Sequence, residues 1–372
     1  MATLIVSSFT PRADNGRGVR GVTIARAIAR NEDVEIAYVE FDGSTPAEEL
    51  LAEPRIRLRP LHASRGVGRG VVYARARLSG IPWAYARGIS PELRHAAAEL
   101  DGFDRVIAEG PVAAAALFPV EQKVPFIYNG ANVESGFRGG FRTVRRRAYG
   151  SQEQHESFER RLFRTFVESW LPTPRDVAAA TELAPDARFR YVPNVVDVAA
   201  IEPVTLGRTG SALFVADQSY EPNAEAAEFL VAEVMPLVWR SRPEATLTLV
   251  GRHADRWQGL DRRIDARGFV DELPAVYAES SCAVVPLLQG GGSPLKLVEA
   301  MAYGLPVVAT STALRGFDAV VPGRHVAGAD GADDFAAALT CALDGDLDPL
   351  AAEARSLVER EYSVEALVEL VR

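Results

Sequence analysis

Apolar residues come along this chain in short runs, separated by longer stretches with helical spacing. "TLIVSSF" (3–9) reads as a buried strand, and "GVRGVTIARAIAR" (18–30) as a helix with Val19, Val22, Ile24, Ala27 and Ile28 on its inner side. "VEIAYVEF" (34–41), "DRVIAEG" (104–110) and "VPFIYNG" (124–130) predict further strands. A polar helix is expected from about Val144 to Phe166, after which "SWLPTPRDVAAATEL" restarts the strand–helix pattern. The stretch 188–210 has two prolines, two glycines and no helical period, so it reads as a linker. Beyond it the alternation resumes with "SALFVAD", the helix "NAEAAEFLVAEVMPLVWRS", "ATLTLVG", "IDARGFV", "CAVVPLL" and "LPVVAT". Strands alternating with helices imply parallel sheets covered on both faces, hence an α/β protein.

The length of 372 residues exceeds one ordinary core, and 48% hydrophobic content is enough to build two. We therefore expect Rossmann-like domains at 1–190 and 211–355, a linker at 191–210, and a last helical segment, 356–372, packing back towards the first domain. The net charge of -9 argues against nucleic-acid binding. Cys282 and Cys341 form no metal spacing and no CxxC motif, which fits a reducing compartment. His62, His95, His155, His253 and His325 follow no ligand spacing, so no metal site is expected. "MATLIVSSF" lacks a basic leader region, and no apolar run reaches the roughly 20 residues of a membrane helix. A cytoplasmic protein that could touch the inner face of the membrane is expected.

The run with most chemical content is "QGGGSPLKLVEAMAYGLPVVAT" (289–310). Three glycines link a strand to a helix, for which Ser293 suits the N-cap, Pro294 the first position and Gly304 the end. Glycines let an anion approach bare backbone at a helix N-terminus. A lysine in that first turn opposes the helix dipole unless an anion is bound. Lys296 and Glu299 share one face, able to hold a phosphate and a ribose respectively. A flexible turn followed by a surface Lys–Glu pair fits the same residues.

The segment from Val285 to Gly316 looks like the donor-binding segment of retaining glycosyltransferases of family four, which have the GT-B fold of two Rossmann-like domains facing a cleft. "SSFTPRADNGRGVRGVTIARAIA" resembles their first strand, glycine loop and helix, and "GANVESGFR" with "FERRLF" resembles their H-N-V-E segment and following helix. "VPNVVD", "FVADQSYEPNAEAAEFLVAEVMPLV" and "GFVDELPAVYAESSCAVVPL" are similar to later family segments in the same order. The resemblance implies transfer of a sugar from a nucleotide-diphosphate donor to an acceptor hydroxyl (glycan, lipid-linked or small-molecule), with retention and without a metal or other cofactor. By that resemblance Gly291, Gly292, Ser293 and Leu295 face the donor, Lys296 holds phosphate and Glu299 holds the ribose. Phe269 and Val270 frame the base, Asn15 and Gly16 sit over the donor from the first domain with Arg17 as a further donor contact, and Asn132 belongs to the reacting centre.

The chain also departs from the family. Gly291 stands where many relatives have a donor-contacting glutamate, Ala131 replaces the motif histidine, and Asp217 with Gln218 replace diphosphate-binding cations. Gln218 remains a donor contact in this reading, and Arg17 or Arg252 could supply the missing charge. Arg17 and Arg20 at the start of the first helix suit a nearby anion, or are simply solvated. The departures leave open a catalytically weakened partner subunit. A nucleotide-sugar epimerase is a further alternative, with Glu109, Glu134 and Asp14 as its acid–base candidates. Arg138, Arg142, Arg145, Arg146 and Arg147, interleaved with Phe137 and Phe141, suit an anionic acceptor, an acidic membrane surface or a solvated face balanced by Glu153, Glu156 and Glu159.

Overall fold

The computed structural model describes residues 1–40, 43–62, 67–136, 151–207, 209–290 and 292–372. The chain divides into two compact units, Met1–Asn194 with Leu367–Arg372, and Val195–Ala366. Each holds one fully parallel sheet.

In unit 1 the strands are β1 (Ala2–Ser7), β2 (Asp33–Glu40), β3 (Ile56–His62), β4 (Arg105–Glu109), β5 (Phe126–Asn129), β6 (Glu168–Leu171) and β7 (Phe189–Tyr191), ordered β3-β2-β1-β4-β5-β6-β7. In unit 2 they are β8 (Ser211–Val215), β9 (Thr246–Val250), β10 (Ile264–Gly268), β11 (Cys282–Val285), β12 (Val307–Ala309) and β13 (Ala327–Gly328), ordered β10-β9-β8-β11-β12-β13. Each order reverses between its first and fourth strands, β1/β4 and β8/β11. In doubly wound sheets the crevice at the carboxyl ends of those two strands is where ligands bind. Leu4, Val6, Val106 and Phe126 fill one core, and Phe214, Leu249, Val284 and Met301 the other. Continuous apolar strands of this kind are what a sheet buried on both faces requires.

Four expectations are corrected. Strand β7 lies inside the stretch 188–210 read as linker, where it extends the sheet beside β6. Strands β3 and β13 escaped the reading: β3 alternates half-buried and exposed residues as an edge strand, and β13 is two residues long. The expected continuous helix over 223–241 begins at Glu221 and relaxes into a π-turn at Leu230–Val234 just before Pro236, which has no N–H to donate. The polar helix runs Gln152–Thr165, started by a capping box between Ser151 and Gln154. The basic cluster Arg138–Arg147 lies outside the described residues. Among the described residues no helix is long and apolar enough to cross a membrane.

Candidate functional site

In unit 2 the chain leaves β11 through Gly290 and Gly292, whose φ values are +140° and +72°, and enters the helix Leu295–Ala302. Gly291 lies outside the described residues. The helix starts one residue later than expected. Pro294, not Ser293, is its N-cap, and no side chain caps it. Ser293 is buried against Gly316 instead, where a Cβ would stand 2.5 Å from the Ser293 Cα. The first intrahelical bond runs from the Leu297 N–H to the Pro294 carbonyl at 3.0 Å, so the N–H groups of Leu295 and Lys296 precede it. At the far end Gly304 (φ +77°) and Leu305 donate to the Met301 and Ala300 carbonyls, closing a Schellman turn.

Lys296 projects inward from this first turn. Its Nζ donates to Asn223 Oδ1 and lies 5.2 Å from the centre of the Phe214 ring. Burial pulls the amine down to about 7, while the charges of Glu299 and Asp217 work against that fall. The ammonium thus has a neutral amide and an aromatic face for company. Asn223 is in turn fixed by donating to the Asp217 carbonyl at 2.7 Å.

Glu299, one turn on, accepts from the Tyr277 hydroxyl at 3.2 Å. Tyr277 is buried and stacked on Tyr303, ring centres 4.0 Å apart. Burial raises the Glu299 carboxyl; the Tyr277 hydrogen bond and Lys296 draw it back. Among the described residues its second oxygen accepts no hydrogen bond.

The loop after β8 carries the family departures. Asp217 turns its carboxylate onto the Ser219 N–H at 2.8 Å and lies 4.0 Å from Arg252, which ties that arginine to it. Gln218 is buried, accepts from the Trp257 indole at 2.6 Å, and keeps its Nε2 without an acceptor among the described residues. Phe269, just past β10, is 64% exposed, and Val270 is half-buried against the core. Lys296, Glu299, Ser293, Leu295 and Gln218 therefore share one end of the unit 2 sheet. Asn223, Tyr277 and Trp257 were not read from sequence. They lie 73, 22 and 39 residues from their partners, beyond any local pattern.

Unit 1 gathers a second set. Asn15 caps the helix Gly16–Ala29, accepting from the Arg17 and Gly18 N–H groups at 3.1 Å. Gly16 is open, with no atom near the place of a Cβ. Arg17 pairs with Glu134 at 2.8 Å, and Asn132 lies half-buried two residues before Glu134. Arg20, read as anion-seeking or solvated, is instead buried. It donates to Asn129 Oδ1 (3.0 Å), Asn194 Oδ1 (3.1 Å) and the Val192 carbonyl (2.7 Å). The reason is position: it faces the sheet from the helix interior, and β5 and the segment after β7 supply its acceptors. Burial lowers its guanidinium to about 10 and raises the neighbouring Glu109, held by Asn129, to about 7. Among the described residues no three His, Cys, Asp or Glu side chains lie together as a metal site.

Residues 210–345 match the family model described as glycosyl transferases group 1. No curated protein matches the chain significantly. Solved structures do. Sucrose-phosphate synthase from Thermosynechococcus elongatus is 16% identical with a TM-score of 0.76, over 99% of this chain and 96% of that one. A mutant of S. aureus TarM, in complex with Fondaparinux, alpha-GlcNAc-glycerol and UDP, is 11% identical with a TM-score of 0.71, over 99% and 98%. HepE of Anabaena in complex with UDP is 14% identical with a TM-score of 0.68, over 99% and 98%. The fold is that of these GT-B proteins, and the sequence match to group 1 glycosyltransferases spans the segment that holds the glycine loop.

Proposed function

We propose that this chain is a retaining glycosyltransferase that moves a sugar from a nucleoside-diphosphate donor held by unit 2 to an acceptor hydroxyl held by unit 1. The observation that carries the reading is Lys296: a desolvated amine, at an uncapped helix N-terminus behind glycines, facing a neutral partner. A diphosphate there would restore the charge that burial suppresses, and would meet free N–H groups already oriented towards it. Glu299, one oxygen fixed by Tyr277, has the other for a ribose hydroxyl. Phe269 and Val270 would border the base, and Gly291, Gly292, Ser293, Leu295 and Gln218 the sugar and phosphates.

In the reaction the acceptor oxygen bonds to the anomeric carbon on the face that the diphosphate leaves. The acceptor proton passes to the departing phosphate oxygen. Asn15, Gly16 and Arg17 would contribute to the donor from unit 1, and Asn132 to the reacting centre. The reaction so written uses no resident metal and no cofactor, and its place is the cytoplasm.

Asp217 favours a second reading, a partner subunit that binds donor without turnover, because it sets an anion and a bound Arg252 where added positive charge would help a leaving group. Titration with UDP, GDP, ADP and dTDP, followed by nucleotide release from the matching sugars with an acceptor panel, separates the two. Binding with turnover supports the enzyme, binding alone supports the subunit, and absence of binding by every nucleotide refutes both.

A further inference from the structure

Val133, Glu134 and Ser135 present three successive main-chain N–H groups, and carboxylates from two other helices take all three. Asp176, in the helix Pro174–Leu183, accepts from Val133 at 3.0 Å and is itself fixed by the Thr173 hydroxyl at 2.6 Å. Glu159, in the helix Gln152–Thr165, accepts from Glu134 at 2.7 Å on one oxygen and from Ser135 at 3.1 Å on the other. The segment so held carries Asn132 at one end and turns at Glu134–Gly136, where Glu134 reaches Arg17.

Glu159 is 5% exposed, and among the described residues it has no ion-pair partner. The groups that face it are the Glu134 carboxylate, the Ser135 hydroxyl and the Tyr85 and Tyr128 hydroxyls, with Arg17 beyond Glu134 and His155 bonded to Tyr85. An ionised carboxylate accepts on both oxygens. A protonated one carries an O–H donor on one of them, which makes that oxygen a poorer acceptor and weakens the N–H bond it holds.

We propose that Glu159 is a positioning residue: its ionised carboxylate fixes the Glu134–Ser135 backbone and thereby the Glu134–Arg17 pair, and protonation loosens that hold. Burial, the largest influence on this group, raises it to about 7, against the pull of the hydrogen bonds from Ser135 and Glu134. The loop therefore responds to pH in the neutral range, while the Asp176 bond to Val133 does not share that response. The functional weight of the switch rests on the glycosyltransferase reading; the geometry does not.

The test follows the Val133, Glu134 and Ser135 amide resonances of the full-length 15N-labelled protein from pH 5.5 to 8.5, beside Glu159→Gln and Glu159→Asp. Glu134 and Ser135 should titrate together with a midpoint near 7, Val133 should not follow them, and Glu159→Gln should abolish the titration. Glu159→Asp should retain a titration at a shifted midpoint. Amides that stay still in the native protein, or that titrate unchanged in Glu159→Gln, overturn the proposal. If Glu159→Gln fails to fold, Glu159→Asp carries the test: a midpoint that does not move with the shortened side chain overturns the proposal. Nucleotide release from UDP-glucose over the same pH range is the second readout: the native protein should lose rate below pH 7, and Glu159→Gln should lose that acid-side fall while keeping the decline above pH 7 that Lys296 imposes. If no protein releases nucleotide, the glycosyltransferase reading fails while the amide titration still decides the positioning role.

Discussion

At the switch point of unit 1, β4 ends at Glu109, and most of the nearby charge is paired within the chain. Arg17 holds Glu134, Arg20 donates from Nε and Nη1 to Asn129, Asn194 and a carbonyl while its Nη2 has no acceptor among the described residues, and Glu109 is held by Asn129. At the corresponding place in unit 2, β11 runs into glycines, an uncapped helix start and a lysine whose contacts are a neutral amide and an aromatic ring. The strand order is common to both sheets, so topology does not separate them. What differs is whether the charge at the strand ends is satisfied internally. A desolvated amine that lacks a carboxylate at bonding distance costs stability in the free protein and returns it when an anion arrives.

The largest effect that would break this contrast is loss of the amine. Lys296→Ala should weaken UDP binding by about 10- to 100-fold, the span of a charged hydrogen bond, and leave uridine nearly unaffected in calorimetry. Equal losses for both would remove Lys296 from the phosphate. Gly316→Ala should cost on the order of 1–3 kcal/mol in thermal unfolding and weaken UDP alongside, since the new methyl meets Ser293 backbone. Unchanged stability would mean the loop has slack.

A pH series sharpens the same point. Because the Lys296 amine is lowered from 10.5 to about 7, a bound diphosphate must draw a proton with it above that pH. UDP affinity should fall above pH 7 by up to about tenfold per pH unit. In the free protein the sign reverses: the cost of charging Lys296 is full below about pH 7 and vanishes as pH rises through 10.5. Lys296→Met should therefore raise the Tm at pH 6 and not at pH 10. A pH-independent UDP affinity would place the phosphate elsewhere.

Glu299→Gln should cost roughly 1 kcal/mol in binding of UDP and uridine alike, by weakening the ribose contact; a loss confined to UDP would contradict that role. The smallest effect lies in unit 1. A double-mutant cycle over Arg17 and Glu134 should give a coupling of about 0.2–1 kcal/mol, as for a partly exposed pair. A larger coupling would erase the contrast between the units.

Much of this was legible beforehand because it is local. The apolar runs at 3–9, 211–217 and 282–288 became β1, β8 and β11 since a buried parallel strand needs such a run whatever surrounds it. The strand-to-helix turn and the Gly304 stop were readable for the same reason: each follows from its neighbours in the chain. β3 and β7 were hard to read because an edge position accepts a mixed pattern.

Sequence alone thus determined the buried central strands, the α/β alternation and the helix stop at Gly304, because hydrophobic period, capping and glycine geometry act over a few residues. Only the tertiary structure decided which partners the charged groups meet. Arg20 finds Asn129 and Asn194, Lys296 finds Asn223, and Glu159 finds the Glu134 and Ser135 amides across 109, 174, 73, 25 and 24 residues respectively. Such partners meet because the crossovers of a parallel sheet bring distant strand ends to one edge, and desolvation there decides whether a charge is held by the protein or left for a ligand.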